Sequence, residues 1–231
     1  MGLKFMERDE KILYIQDLIE PYKKAFGTGV DLYRKGERPA VLVIDIQNGM
    51  VSPKSIMGPQ TEEQQVFMDD SIKSCKILFD EARKRNIPVI YFGVCFRKDG
   101  LDGGILCEKI TTAAELMQEG SWMVEIDDRV KPQPGDFFIW KKHNSAFAGT
   151  GIVALLTTLR VDTCVVVGNS TSGCIRATVG DSTAHGFKTV VPEECVADRG
   201  IWAHKASLFD IWAKIADVAS LDDVLAWIKM L

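Results

Sequence analysis

The sequence predicts an α/β fold: a doubly wound, Rossmann-like parallel sheet of six strands, in the order 3-2-1-4-5-6, with helices on both faces. Two observations carry this. Residues 40–44 form an unbroken apolar run, Ala40-Val41-Leu42-Val43-Ile44, the pattern of a strand covered on both faces. Strand-like runs then alternate along the whole chain with segments whose apolar residues recur at three- and four-residue steps. A chain of 231 residues, 46% of them hydrophobic, is long enough to bury such a sheet in one domain.

The elements follow in order. Residues 7–26 carry Ile12, Ile15, Leu18, Ile19 and Tyr22 at helical spacing, so residues 1–36 read as an N-terminal helical arm with a linker, and 37–231 as a single domain. Asp45 closes the first strand. A long helix follows through Met68, Ile72, Cys75, Phe79 and Ala82, and Asn86-Ile87-Pro88 stops it. Residues 88–94 form the second strand. Residues 95–130, broken at Asp99-Gly100 and Gly103-Gly104, read as an irregular segment of the length a lid or binding loop takes. Residues 136–140 form the third strand, with Lys141 at its end. A helix over 149–160 leads to the fourth strand, 163–167, which ends at Gly168. A polar turn and a helix bearing Ile175 and Val179 follow. Residues 187–192 give the fifth strand, Leu208, Ile211, Trp212 and Ile215 a helix, 217–219 a short sixth strand, and Leu221, Val224, Leu225 and Ile228 a last helix.

Composition excludes several function classes. A net charge of −4 without a basic run argues against nucleic acid as a partner. No signal peptide and no apolar run of transmembrane length appear, so neither secretion nor a membrane is expected. The six cysteines form no CxxC pair, which fits a reducing cytoplasm. His143, His185 and His204 have no ligand spacing, and neither G-x-x-x-x-G-K-[ST] nor G-x-G-x-x-G occurs. The expectation is therefore no metal and no cofactor.

Ligands of an open parallel sheet bind beyond the carboxyl ends of its strands. Three reactive residues fall there. Cys174 follows the fourth strand at the start of a helix, where the dipole favours a thiolate and free N–H groups suit an oxyanion. Asp45 ends the first strand and can take the thiol proton. Lys141 ends the third and can lower the thiol pKa by its charge. Each also has a plainer reading: a turn aspartate, a solvated lysine with Lys142 as its twin, a cysteine used as a small hydrophobe. Pattern alone leaves both readings open.

Three segments decide between them. Residues 40–48, ending Asp45-Ile46-Gln47-Asn48, residues 141–150, with Ser145-Ala146-Phe147, and residues 168–178, with Asn169-Ser170-Thr171-Ser172-Gly173-Cys174, together resemble the isochorismatase-like cysteine hydrolases over roughly residues 38–220. The third segment, continued to Arg199, most resembles the N-carbamoylsarcosine amidase and maleamate amidase branch. The resemblance implies a Cys-Asp-Lys triad on Cys174, Asp45 and Lys141; the family lysine lies four residues before the serine that is here Ser145. It implies a cis peptide at Asn169–Ser170 and an oxyanion hole from the N–H groups of Ser170 and Cys174. It places Arg199 on a substrate carboxylate, the plainer alternative being an ion pair with Glu193, Glu194 or Asp198. Asn169, Thr171 and His204 would contact substrate, His204 being equally readable as a structural histidine. The metal-binding DxHxxxH run of zinc-dependent nicotinamidases is replaced here by Cys95-Phe96-Arg97-Lys98-Asp99-Gly100.

The implied activity is a metal-independent amidohydrolase. It would release ammonia from a small carboxylate bearing a terminal amide or carbamoyl group, N-carbamoylsarcosine first. Maleamate and other ureido-acid or nicotinamide-type amides are the alternatives. An isochorismate-type vinyl ether hydrolase would lack the cysteine, and a non-catalytic binding relative would not need the triad. A homodimer or homotetramer is the expected assembly, with the apolar arm against a neighbour.

Overall fold

The computed structural model describes residues 15–26 and 36–231. The remainder of the expected arm, residues 1–14 and 27–35, lies outside them. In chain order the elements are α1 (Ile15–Phe26), β1 (Pro39–Ile44), α2 (Asn48–Val51), α3 (Glu62–Lys84), β2 (Val89–Val94), α4 (Gly104–Lys109), α5 (Thr111–Leu116), β3 (Phe137–Lys141), α6 (Ile152–Thr158), β4 (Thr163–Asn169), α7 (Arg176–Ala184), β5 (Lys188–Pro192), β6 (Val196–Ala197), α8 (Ile201–Lys214), β7 (Asp217–Ala219) and α9 (Leu221–Met230). Among the described residues, no helix is long and apolar enough to cross a membrane.

The sheet runs β3-β2-β1-β4-β5-β7, all parallel. This is the predicted order, with residues 217–219 at the far edge as β7. A seventh strand was not foreseen: β6, two residues long, pairs Val196 with Gly168 and Ala197 with Asn169 at the end of β4. Two residues carry no periodicity, so only the tertiary pairing reveals it.

The apolar run of β1 is continuous because both faces are covered. Val41 and Val43 pack with Met68, Ile72, Phe79 and Ala82 of α3 and Val224 and Ile228 of α9. Ala40, Leu42 and Ile44 pack on the other face with Ile152 and Leu156 of α6, Val179 of α7 and Ile211 of α8. The alternation of side chains along a strand sorts the run into two cores. Thr61 starts α3 with a capping box: its hydroxyl accepts from the Gln64 N–H while the Gln64 side chain accepts from the Thr61 N–H. The helix ends where Asn86 turns left-handed, φ 56°, just before Pro88.

Residues 95–130 are more ordered than expected. They contain α4, α5 and two single 3₁₀ turns, Trp122–Val124 and Asp128–Val130. Cys95, Phe96, Cys107, Ala113, Met117 and Val124 form a small core of their own with Met57 and Val94. Helices of six residues span less than two turns, too short to show a periodic stripe in sequence. In the described part of the arm, Tyr22 of α1 meets Phe209 of α8 edge-on at 5.0 Å, and Lys214 lies over the Tyr22 ring.

Phe79 is fully buried and meets Tyr91 of β2 edge-on at 5.9 Å. Phe79→Ala should lower unfolding free energy by about 3–5 kcal/mol, the loss typical of a large aromatic removed from a packed core. Urea unfolding measures it, and a change below about 1 kcal/mol would mean that this layer is not packed as described.

Candidate active site

Two close backbone approaches build the floor of the site. β1 and β4 end in register at Ile44 and Gly168. A Cβ on Gly168 would lie 2.0 Å from the Ile44 carbonyl oxygen, and its φ is +114°, so only glycine fits. One residue further, Asp45 adopts a left-handed φ of 51°, a conformation that aspartate tolerates better than most residues. The Asn169 side-chain amide donates to the Asp45 carbonyl at 2.6 Å. Asp45 itself is 1% exposed. Its Oδ2 lies 2.8 Å from Lys141 Nζ, yet neither carboxylate oxygen accepts a well-directed hydrogen bond among the described residues. A buried carboxylate in that state retains acceptor capacity for a further donor.

Lys141 is the one buried residue of β3, whose other four residues are exposed or half-buried. Its ammonium sits among three acceptors: Asp45 Oδ2 at 2.8 Å, the His143 carbonyl at 3.0 Å and Cys174 Sγ at 3.5 Å. Burial pulls its pKa down, but the charges of Asp45 and Cys174 outweigh that and hold it above the ordinary lysine value. Lys142 turns the other way. It pairs with Asp102 at 2.6 Å and donates to the Cys95 carbonyl, fastening residues 95–102 to the end of β3.

The turn that presents Cys174 begins with a cis peptide between Asn169 and Ser170. The Ser170 carbonyl accepts from the N–H groups of Gly173 at 3.0 Å and Ile175 at 3.2 Å, which flank the N–H of Cys174. The result is a wide π-type turn, Thr171–Ile175, that runs straight into α7. Its other contacts tie it down. Ser172 donates through both N–H and hydroxyl to Asp198. Thr171, fully buried, donates its hydroxyl to the Ala197 carbonyl at 3.0 Å and lies 2.9 Å from His204 Nδ1. The single hydroxyl proton is already committed, so His204 must donate from Nδ1. Burial holds its pKa below the ordinary histidine value, consistent with a neutral ring that fixes the turn.

Cys174 is half-buried, whereas the other five cysteines are buried. Burial, then the adjacent Asp45 charge, push its thiol up to about 12, against the opposing effect of Lys141. The pull of Lys141 toward a thiolate, expected from the sequence, is opposed here by burial. Desolvation and the carboxylate beside the sulfur outweigh the lysine, because Lys141 is already neutralised by Asp45. The resting group is a thiol next to a carboxylate able to take its proton.

The structure thus brings Asp45, Lys141 and Cys174 together, with Ser170, Asn169 and Thr171 forming the turn. Arg199 stands on the segment between β6 and α8. It is exposed and makes no ion pair among the described residues, so the alternative partners Glu193, Glu194 and Asp198 do not hold it. A cavity of about 360 Å³ is lined by Arg199 together with Thr61, Glu63, Gln64, Phe67, Asp198 and Ile201. Gln64 and Asp198 were missed in the sequence. Gln64 carried no reading in the sequence, and Asp198 appeared only as a possible partner of its neighbour.

The isochorismatase domain matches residues 39–223. The chain is 32% identical to the N-carbamoylsarcosine amidase of an Arthrobacter species, over 90% of this chain and 81% of that one. It is 33% identical to the maleamate amidohydrolase of Pseudomonas putida, over 85% of this chain and 89% of that one. Among solved structures, a cysteine hydrolase from Pseudomonas syringae superposes with a TM-score of 0.77 at 23% identity, covering 84% of this chain and 93% of that one.

The raised thiol pKa sets a pH dependence. Below the ordinary thiol value of 9.0 both folded and unfolded chains keep the proton, and the contribution to stability is fully present. Between there and about 12 only the folded chain keeps it, so stability falls as pH rises. Alkylation of Cys174 by iodoacetamide, followed by peptide mass spectrometry, should accordingly keep climbing with pH past 9 and toward about 12. A rate plateau already reached below pH 7 would show a preformed thiolate instead.

Proposed function

The chain belongs to the isochorismatase family, and on that premise we propose that it is an amidohydrolase of the N-carbamoylsarcosine amidase type, with Cys174 as nucleophile. The observation that carries this reading is the convergence of a buried carboxylate with free acceptor capacity, a buried ammonium and the half-buried Cys174 sulfur. As sulfur attacks the carbonyl carbon, Asp45 takes the thiol proton. Lys141 keeps the carboxylate oriented and balances the charge that passes to the sulfur. The backbone N–H groups of Ser170 and Cys174 hold the oxyanion; one such donor contributes roughly 10²–10³ in rate.

Asp45 then returns the proton to the departing nitrogen. Ammonia leaves, and a thiocarbamate, or a thioester from a simple amide, remains on Cys174. Water deprotonated by the same carboxylate hydrolyses it and regenerates the thiol. From N-carbamoylsarcosine the products are sarcosine, carbon dioxide and ammonia. From maleamate, the second reading, they are maleate and ammonia. Arg199, an exposed guanidinium without an ion partner among the described residues, holds the substrate carboxylate through its planar fork. Asn169, Thr171 and His204 act through the turn: the Asn169 amide bonds the Asp45 carbonyl, and the Thr171 hydroxyl bonds the Ala197 carbonyl and meets His204 Nδ1. No metal or cofactor enters this scheme. The same reading carries a homodimer or homotetramer, which light scattering tests.

Cys174→Ala should reduce ammonia release at least about a thousand-fold, the scale of losing a covalent nucleophile, with circular dichroism unchanged; retained turnover would end the proposal. An ammonia-release screen over N-carbamoylsarcosine, maleamate, nicotinamide and ureido acids separates the substrates. Arg199→Ala should raise KM for carboxylate-bearing amides roughly ten- to a hundred-fold, the range for a lost charged hydrogen bond, and should spare neutral amides. Equal loss on both would remove Arg199 from the carboxylate.

A further inference from the structure

The turn carrying Cys174 and the segment carrying Arg199 are separate in sequence, yet one side chain is bonded to both. Asp198 precedes Arg199 and is 8% exposed. Its Oδ2 accepts from the Ser172 N–H at 2.9 Å and from the Ser172 hydroxyl at 2.7 Å, two residues before the nucleophile. Its Oδ1 accepts from the Gly200 N–H at 3.1 Å, just past Arg199. On the far side, Gln64 of α3 donates to the Arg199 carbonyl at 2.8 Å. The backbone of Arg199 is thereby held between a carboxylate fixed to the cysteine turn and the capped start of a 23-residue helix.

We propose that Asp198 is a positioning residue that sets the spacing between the nucleophile and the carboxylate-binding arginine, and so selects substrates by the distance between their carbonyl and their acid group. The inference rests on the functional reading above. Asp198 touches no reacting atom in it; it acts through Ser172 and through Arg199. Hydrogen bonds to a charged acceptor are the strong ones, and three converge here on one buried carboxylate. An asparagine would replace one of the two acceptor oxygens with an NH₂ group facing an N–H donor. Either the tie to Ser172 or the tie to Gly200 must then fail.

The test uses the full chain and the substrate it turns over, N-carbamoylsarcosine or maleamate, beside the methyl ester of the same molecule. Ammonia release gives kcat and KM for each. Asp198→Asn should lower kcat/KM for the acid roughly ten-fold more than for its ester, the scale of one lost charged hydrogen bond. Combined with Arg199→Ala it should add little further, because the two act on one contact. Ser172→Ala, which removes only the hydroxyl bond, should give a smaller loss of the same sign and covers the case in which Asp198→Asn fails to fold. Asp198→Glu should not restore the acid preference, since its longer stem changes the spacing.

Equal losses on acid and ester would overturn the proposal, leaving Asp198 a structural tie of the turn. Full additivity with Arg199→Ala would overturn it as well. If Arg199→Ala alone leaves the ratio of acid to ester unchanged, or if neither acid is hydrolysed, the functional reading has failed and the coupling falls with it. If Arg199→Ala shifts the ratio while Asp198→Asn and Ser172→Ala do not, only the coupling has failed.

Discussion

A buried ion pair governs this site. Asp45 and Lys141 are each 1% exposed and stand 2.8 Å apart. Removing two charges from water costs several kcal/mol per ion, and their attraction only partly offsets it. A hydrophobic pair would hold the two strand ends together at least as well. What the pair alone supplies is a fixed electrostatic environment for a third atom, the Cys174 sulfur. The surrounding oddities serve that end: a left-handed aspartate, a glycine pressed against the neighbouring strand, and a strand whose only buried side chain is its terminal lysine.

The protons follow from the same arrangement. With Lys141 charged and Asp45 acting on it, the pair is neutral to a distant observer, and the sulfur gains little from the lysine while it keeps its proton. In the proposed attack the proton moves to Asp45, the carboxylate then no longer neutralises the ammonium, and the full positive charge faces the new thiolate at 3.5 Å. Stabilisation therefore arrives with the proton transfer, where it lowers the barrier rather than the ground state.

Much of this was legible in the chain. The doubly wound fold was readable because strands covered on both faces need not alternate, and β1 and β4 carry the unbroken apolar runs Ala40–Ile44 and Cys164–Val167. Asp45, Lys141 and Cys174 stood out at strand ends, where such sheets gather ligands, and the family resemblance of three segments singled them out. Four things were not. β6 is too short for a pattern, and the helices of residues 95–130 are too short for a stripe. The direction of the thiol pKa depends on how much protein covers the sulfur and on which side Asp45 approaches it. Sequence placed both a lysine and a carboxylate near the cysteine but not the balance of their opposite effects on it. Asp198 stayed hidden for a related reason, since its partners lie 26 positions away and the ties are to a backbone N–H and a serine hydroxyl.

The placement of Lys141 on an edge strand has a mechanical consequence. β3 and β1 are separated by β2, two interstrand spacings or about 9.6 Å. The four-carbon stem of the lysine has to bridge that gap above β2 to meet Asp45. The lysine thus works as a gauge laid across three strands, and the gauge reads correctly only when β3 is paired. Among the described residues β3 has one neighbour in the sheet and no strand beyond it, so it is cheaper to peel away than β2, β1 or β4. Fraying of that edge would silence the chemistry while both cores remained packed, and the enzyme would lose its function before it lost its fold.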